Sequence, residues 1–480
     1  MSRHIVIVGA GFGGLATAAR LAHRGHRVTV LEKNSFVGGR NRTIHMGDYR
    51  FDSGPTLLMM LDPFRKLFAD LGEDFEVKVP VQLCDPSYRV FFRDGSRLDA
   101  TTRIDEMTRR LSRLAGPEEA SKYPGFLAEL KALYDEAIPH FVRKNYRRLG
   151  DFARPDQLRR VLKHHMLGNL ARRVEDRFAD PRLRMLFSFQ TMYLGLSPYD
   201  APFVYATLAY MEYGEGIFHP EGGLGRLSDT VAKLARDRGA EIRLNSPVAR
   251  VEGRTVTLES GEKTAADAVI FNADLPYAQK QLQRQPRSRN LQQSCSAHVM
   301  SIAYAGELPA LEHHNVFFGE RFRDNLDALF HDLRMPEDPA FYVCISSKTD
   351  PSAAPAGHSN LFILIPTPNL DYPATAQEIS RLEQAVLTRL DCEAGFDPSL
   401  VRAIERRGPA EWASELNLER GAAFGASAVL FQSAFMRTPN RSRMPGHYYV
   451  GASTTPGNGL PMVLISAELV EQRLLSDGVI

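Results

Sequence analysis

Glycines stand at positions 9, 11 and 14, directly after the apolar run HIVIV, and Glu32 closes a second such run, RVTVLE. At that spacing the first glycine permits a tight turn, the second admits a pyrophosphate to the backbone, and the third lets a helix pack closely on a strand. Phe12 and Gly13 lie inside the turn, and Lys33 follows the acid. An acid at the end of a second strand is placed to accept hydrogen bonds from ribose hydroxyls. The chemistry on offer is the holding of a dinucleotide, its phosphates set on the unpaired N–H groups of a helix N-terminus.

Positioning those residues takes a strand, a helix and a second strand, and the chain supplies them in order. HIVIV reads as a buried parallel strand. LATAARLAHRG carries apolar residues at helical spacing and stops at Gly25. RVTVLE is the second strand. Next come Gly38-Gly39-Arg40 and a hairpin-like stretch ending in Gly54-Pro55-Thr56, where a nicotinamide enzyme is expected to enter another crossover helix. Residues 77–98 read as strands, and long amphipathic helices run from there to about Tyr213. SIAYAGEL, ALFHDL, FYVCISS and LFILIPTP form a β-rich middle, followed by a helix from Ala376 to about Leu390. The expected fold is α/β. A discontinuous nucleotide-binding domain (1–76, 214–295 and 421–480) is interrupted by an α+β substrate domain (77–213 and 296–420) that includes a helical region, 100–213.

A chain of 480 residues is too long for one ordinary core. Its net charge of +2 gives no reason to expect nucleic acid as a partner. The four cysteines form no CxxC or CxxH pair, so they read as inert thiols of a reducing compartment. No histidine or cysteine spacing marks a metal site. His313-His314 is assigned to a surface loop and His164-His165 to one face of a basic helix. No leader peptide or apolar run of spanning length is visible, which leads us to expect a cytoplasmic protein that lies on a membrane if it meets one.

Gly39-Arg40 after the ribose-binding acid resembles the flavoprotein superfamily of amine oxidases, protoporphyrinogen oxidases, carotenoid desaturases and Rab GDP-dissociation inhibitors (the GR2 type), and the resemblance implies FAD. Three further segments are similar to carotenoid desaturases. They are Pro220-Glu221-Gly222-Gly223-Leu224-Gly225-Arg226-Leu227, the strand around Val248 that would face the adenine, and Asn272-Ala273-Asp274 at a strand end. Tyr448-Tyr449-Val450-Gly451-Ala452-Ser453-Thr454-Thr455-Pro456-Gly457-Asn458-Gly459-Leu460-Pro461 resembles the closing signature of bacterial phytoene-desaturase-type enzymes. There a strand ends at Gly451, a loop turns through Gly457 and Gly459, and Pro461 starts a helix. A helix N-terminus aimed at a flavin ring stabilises the negative charge that arrives on reduction by about 0.3–2 kcal/mol. Two departures stand out: Thr455 where histidine is common, and bulky Met462-Val463-Leu464 after the proline.

The resemblance implies desaturation of a linear carotenoid precursor by hydride transfer to flavin N5, with oxygen or a quinone as the final acceptor. A carotene cis–trans isomerase of the same lineage and a non-catalytic prenyl-lipid carrier are the alternatives. The family places an acidic and a basic residue near the substrate, which carries over to Asp156 and Arg159 or Arg160. From Leu158 onward, Val161, Leu162, Met166, Leu170 and Val174 follow helical spacing among arginines. This basic amphipathic stretch either rests on the inner face of the cell membrane or packs on the core.

Overall fold

The computed structural model describes residues 2–146, 150, 154–285, 291–433 and 436–480. HIVIV forms the strand His4–Val8, the centre of a five-stranded parallel sheet. Its neighbours are Arg27–Leu31 and then Glu241–Arg243 on one side, Ala268–Phe271 and then His447–Tyr449 on the other. Ile5, Val6 and Ile7 are fully buried, as expected of a parallel strand covered on both faces.

The first helix, Phe12–His23, lies between this sheet and the helices Gly225–Asp237 and Leu460–Ser476. Glycine and alanine make up half of its twelve residues, which lets neighbours close in from every side; Thr17 and even Arg20 are buried. Arg20 is held by Asp70 at 2.8 Å and Glu471 at 3.1 Å, so the interior charge is neutralised where it stands. The glycine-arginine stretch leads into a two-stranded hairpin, Thr43–Met46 with Tyr49–Asp52.

A second sheet has seven strands in the order 401–407, 296–304, 359–367, 341–345, 314–317, 88–91, 97–100. All its pairings are antiparallel except that of His314–Phe317 with Tyr88–Phe91. The helix Ala376–Ala394, opened by a capping box between Thr375 and Glu378, covers one face through Leu382, Val386 and Leu390. Against the other end stands a helical layer that includes Ile104–Ala115, Tyr123–Ala137 and Leu170–Arg177.

Three expectations need correction. ALFHDL is not a strand: the helix Phe322–Phe330 takes in its first three residues, with Leu326 and Leu329 on the buried side, and a turn follows. The basic stretch is two helices, Pro155–Lys163 and Leu170–Arg177, because the chain breaks at His165, whose φ is +50°. His164 and His165 therefore belong to a turn and not to a helix face. Residues 147–149 and 151–153, ahead of that stretch, lie outside the described residues. Among the described residues, no helix is long and apolar enough to cross a membrane.

Candidate functional site

The C-terminal ends of the parallel strands open onto a cavity of about 740 Å³ that continues between the second sheet and the helical layer. Its first end is the glycine turn. Gly9 has φ +101°, and a β-carbon there would stand 3.1 Å from the nitrogen of Ala273. A β-carbon on Gly14 would meet the Gly9 oxygen at 2.4 Å, so the helix can cross the strand only without one. At Gly11 the conflict would be with Asn272 Oδ1, at 2.6 Å. This glycine therefore also admits Asn272, a neighbour that the spacing alone does not reveal. The helix that begins at Phe12 has no side-chain cap, which leaves its first-turn N–H groups for another acceptor.

Glu32 is buried at the end of the second strand. Its Oε2 accepts from the Ala10 N–H at 2.7 Å and its Oε1 from the Asn34 N–H at 2.9 Å. Each carboxylate oxygen keeps a further lone pair able to accept, and the residue lines the cavity. Lys33 is tied back by the Ser414 carbonyl at 3.1 Å and Asn417 Oδ1 at 3.0 Å. Val248 and Leu275 add apolar wall beside this polar end.

Arg40 reaches the middle of the cavity and donates to the Ala423 carbonyl at 2.9 Å. Burial lowers its pKa, and the nearby Asp274 carboxylate opposes that shift. Burial pushes Asp274 up, while the Glu419 N–H and Arg40 hold it down and Ser453 donates to it at 3.1 Å. Gly54 is needed because a β-carbon would strike the Arg40 carbonyl at 2.6 Å; Pro55 and Thr56 follow on the wall. Asn272 donates to the Val450 carbonyl at 3.1 Å, and its buried Oδ1 has no hydrogen-bond partner among the described residues.

The closing loop forms the opposite lip. Gly451 has φ +119° and donates to Ser466 Oγ at 3.2 Å. Gly457 and Gly459 face open space, and the helix Leu460–Ser476 starts there without a side-chain cap. Two uncapped helix N-termini therefore meet one cavity, together with a buried carboxylate, a half-buried arginine and an unpaired buried amide oxygen. This donor and acceptor set fits a dinucleotide that carries a redox ring.

Beyond the lip the cavity turns apolar. Phe189, Val204, Leu208, Val299, Phe318 and Phe362 contribute to its wall, among others. The polar exceptions there are informative. Tyr193 lines the cavity, and its hydroxyl is 2.6 Å from that of Tyr88. Tyr88 donates to Glu212 Oε1 at 3.0 Å, and Gln190 donates to Glu212 Oε2 at 2.9 Å. Burial pushes the Glu212 carboxyl up to about 8 against the pull of these donors. Tyr193 sits next to Leu194, whose carbonyl lies 3.4 Å from Asn458 Nδ2 of the closing loop. The sequence gives no local sign of Glu212, which stands in AYMEYG like any helical acid.

Asp156 and Arg159 are not brought to this site. Both are exposed on Pro155–Lys163, and Asp156 pairs with Arg154 at 3.2 Å. The expectation fails because Gln157 and Val161 are the residues that this helix turns inward. His313 and His314 also depart from expectation, being buried at 5% and 0% exposure. The pairing of His314–Phe317 with two strands carries them inside. Burial keeps His313 well below the ordinary imidazole range and pushes His314 down to about 3.

Residues 12–475 match the family model described as flavin containing amine oxidoreductase. A zeta-carotene-forming phytoene desaturase of Myxococcus xanthus is 40% identical over 493 residues, covering 99% of this chain and 94% of its own. A phytoene desaturase of Neurospora crassa is 34% identical, over 99% of this chain and 85% of its own. Among solved structures, wild-type putrescine oxidase bound to putrescine aligns over 100% of this chain and 99% of its own, with a TM-score of 0.62 at 16% identity. The chain belongs to the flavin containing amine oxidoreductases and, within them, to the phytoene-desaturase-type family.

Proposed function

We propose that the protein is an FAD-dependent desaturase that introduces double bonds into phytoene, diapophytoene or a later acyclic carotenoid. The observation that carries this reading is the continuity of one cavity from a dinucleotide-binding end to a long apolar wall. The FAD cofactor supplies the hydride-accepting chemistry. Gly9, Gly11, Phe12, Gly13 and Gly14 would hold its pyrophosphate on the first helix. Glu32 and Lys33 would serve the ribose end, with Val248 beside the adenine. Gly39, Arg40, Gly54, Pro55, Thr56, Asn272 and Asp274 would line the middle. Gly451, Gly457, Gly459, Leu460 and Pro461 would close over the ring. The division into a nucleotide-binding domain (1–76, 214–295 and 421–480) and a substrate domain (77–213 and 296–420) accompanies this reading. The strands of the parallel sheet and of the larger sheet fall on either side of those boundaries.

Desaturation removes a hydride and a proton from neighbouring carbons, so an apolar cavity must take up a proton. The substrate has no polar handle at mid-chain, and its affinity rests on apolar burial. The C–H proton passes to Tyr193 Oη, the Tyr193 proton to Tyr88 Oη, and the Tyr88 proton to ionised Glu212 Oε1. The distances of 2.6 and 3.0 Å support this chain of transfers. A cell that makes only colourless phytoene or diapophytoene tests the activity. Expression of this chain is expected to give coloured, more conjugated products; rearranged isomers with no added double bond would favour the isomerase, and no change at all the carrier.

The substrate also argues for a membrane surface, with oxygen or a quinone as final electron acceptor. Leu158, Leu162 and Leu167 are 45%, 74% and 52% exposed, beside exposed Arg159 and Lys163. Apolar side chains among cations suit an anionic lipid surface such as the inner face of the cell membrane. The triple variant Leu158→Glu, Leu162→Glu, Leu167→Glu is expected to lower binding to anionic vesicles by about a hundredfold, since each leucine contributes roughly 1 kcal/mol or more on burial. Its flavin content should match the parent. Equal sedimentation of variant and parent with vesicles would remove the membrane assignment.

A further inference from the structure

Cys84 stands 229 residues before the adjacent pair His313-His314, yet one ligand atom from each of the three lies within 4.8 Å of the other two. All three are buried. His313 Nδ1 pairs with Thr349 Oγ1 at 2.6 Å, and His314 Nδ1 with the Tyr342 hydroxyl at 2.7 Å. The Nε2 atom of each imidazole is buried with no hydrogen-bond partner among the described residues. Beside them His219, 2% exposed, leaves both ring nitrogens without such a partner. Its ring centroid is 4.8 Å from that of His313, and its Nε2 is 3.8 Å from Asp350 Oδ2.

Three imidazole nitrogens with no partner, and a fourth, His219 Nε2, that faces only the Asp350 carboxylate at 3.8 Å, are out of keeping with a folded interior, where buried polar atoms are nearly always paired. Imidazoles fixed through one nitrogen, with the other free, are what a metal centre requires of its ligands. The backbone is already set. Cys84 N–H donates to the Ile217 carbonyl at 2.8 Å, which ties it to the strand Phe218–Pro220 that carries His219. Ile345 N–H donates to the His313 carbonyl at 2.8 Å. Cys84 Sγ and His313 Nδ1 are 3.9 Å apart. Ligand atoms on one tetrahedral zinc ion stand about 3.3–3.6 Å apart, so atoms now within 4.8 Å of one another need to close by about 1.5 Å at most.

We propose that Cys84, His313 and His314, with His219 as the adjoining fourth donor, form a binding site for a divalent cation of the zinc class. One thiolate and imidazole nitrogens are the donors that a borderline-soft ion selects over magnesium or calcium. On binding, the Cys84 thiol releases its proton to solvent, and sulfur and nitrogen lone pairs fill the coordination sphere. No electron moves. The ion would pin the segments that carry Cys84, His219 and His313-His314, and through His314 would fix Tyr342, which lines the large cavity and also meets Thr56 at 2.9 Å.

The test uses the full-length, untagged protein with its flavin, grown with zinc and purified without chelators. Elemental analysis is expected to find about one zinc per chain, and cobalt added to dialysed protein to give a thiolate charge-transfer band with intense tetrahedral visible bands. Cys84→Ser should abolish the charge-transfer band, and His219→Gln should weaken cobalt binding at least tenfold, with flavin absorbance reporting that each variant is folded. If Cys84→Ser does not fold, the parent's cobalt spectrum with the His219→Gln comparison decides. Parent protein that binds neither zinc nor cobalt, or variants that bind them unchanged, would overturn the site.

Discussion

A Gly14→Val chain is expected to purify colourless. The β-carbon alone would stand 2.4 Å from the Gly9 oxygen, 2.8 Å from Asn272 Oδ1 and 3.0 Å from Asn272 Cβ. None of these can rotate away freely, since Gly9 is in the tight turn and Asn272 is fixed on the Val450 carbonyl. The first helix must move off the strand, and its N-terminus then no longer faces the pyrophosphate. Overpacking of this kind costs about 1–3 kcal/mol. If the whole cost falls on the flavin-binding geometry, affinity drops roughly five- to 150-fold. The ratio of flavin to protein absorbance and a titration with added FAD measure it. Gly125→Ala is the control. That glycine lies inside the helix Tyr123–Ala137 with nothing within 4 Å of an added β-carbon, so this variant should stay yellow.

Glu212→Gln is expected to retain flavin and lose turnover by about a hundredfold to ten-thousandfold, the usual worth of a positioned proton acceptor. The amide keeps the shape of the carboxyl but cannot take a proton. A base must be ionised to act, so the parent's turnover should rise with pH to a plateau above about 8, and the variant should lack that limb. The stability effect has the opposite slope. The folded protein holds the Glu212 proton up to about 8, whereas the unfolded chain releases it near 4.5. Between those values the folded state binds more protons, so the parent loses stability as pH rises and levels off above about 8. The groups facing Glu212 are Tyr88, Tyr193, Gln190 and Tyr213, and burial pushes the three phenols up, away from this window. Melting curves against pH should therefore be flatter for Glu212→Gln.

The fold was legible wherever one short stretch carries its own geometric demand. HIVIV and RVTVLE are strands on either side of a helix that begins at Phe12, and the closing helix starts at Leu460 beside Pro461. Glycine explains this, because its placement reports a close approach that no other residue tolerates. ALFHDL was misread because a short apolar run has no period long enough to separate strand from helix.

Burial of polar residues was the least visible feature. Glu212 stands in a π-helical turn, Met211–Glu215, and only the folded chain brings Tyr88 from more than a hundred residues away to meet it. Cys84, His219 and His313-His314 share no spacing pattern, since two strand pairings bring them together. Asp156 and Arg159 rest on the family resemblance alone, and charge without a buried setting marks only a solvated helix face.

The most direct measurement is an anaerobic single turnover of the purified protein with phytoene or diapophytoene in vesicles. Flavin absorbance should bleach in step with the appearance of a conjugated polyene, one reduced flavin for each double bond gained. A polyene that forms, or an isomer that interconverts, while the flavin stays oxidised would contradict the account.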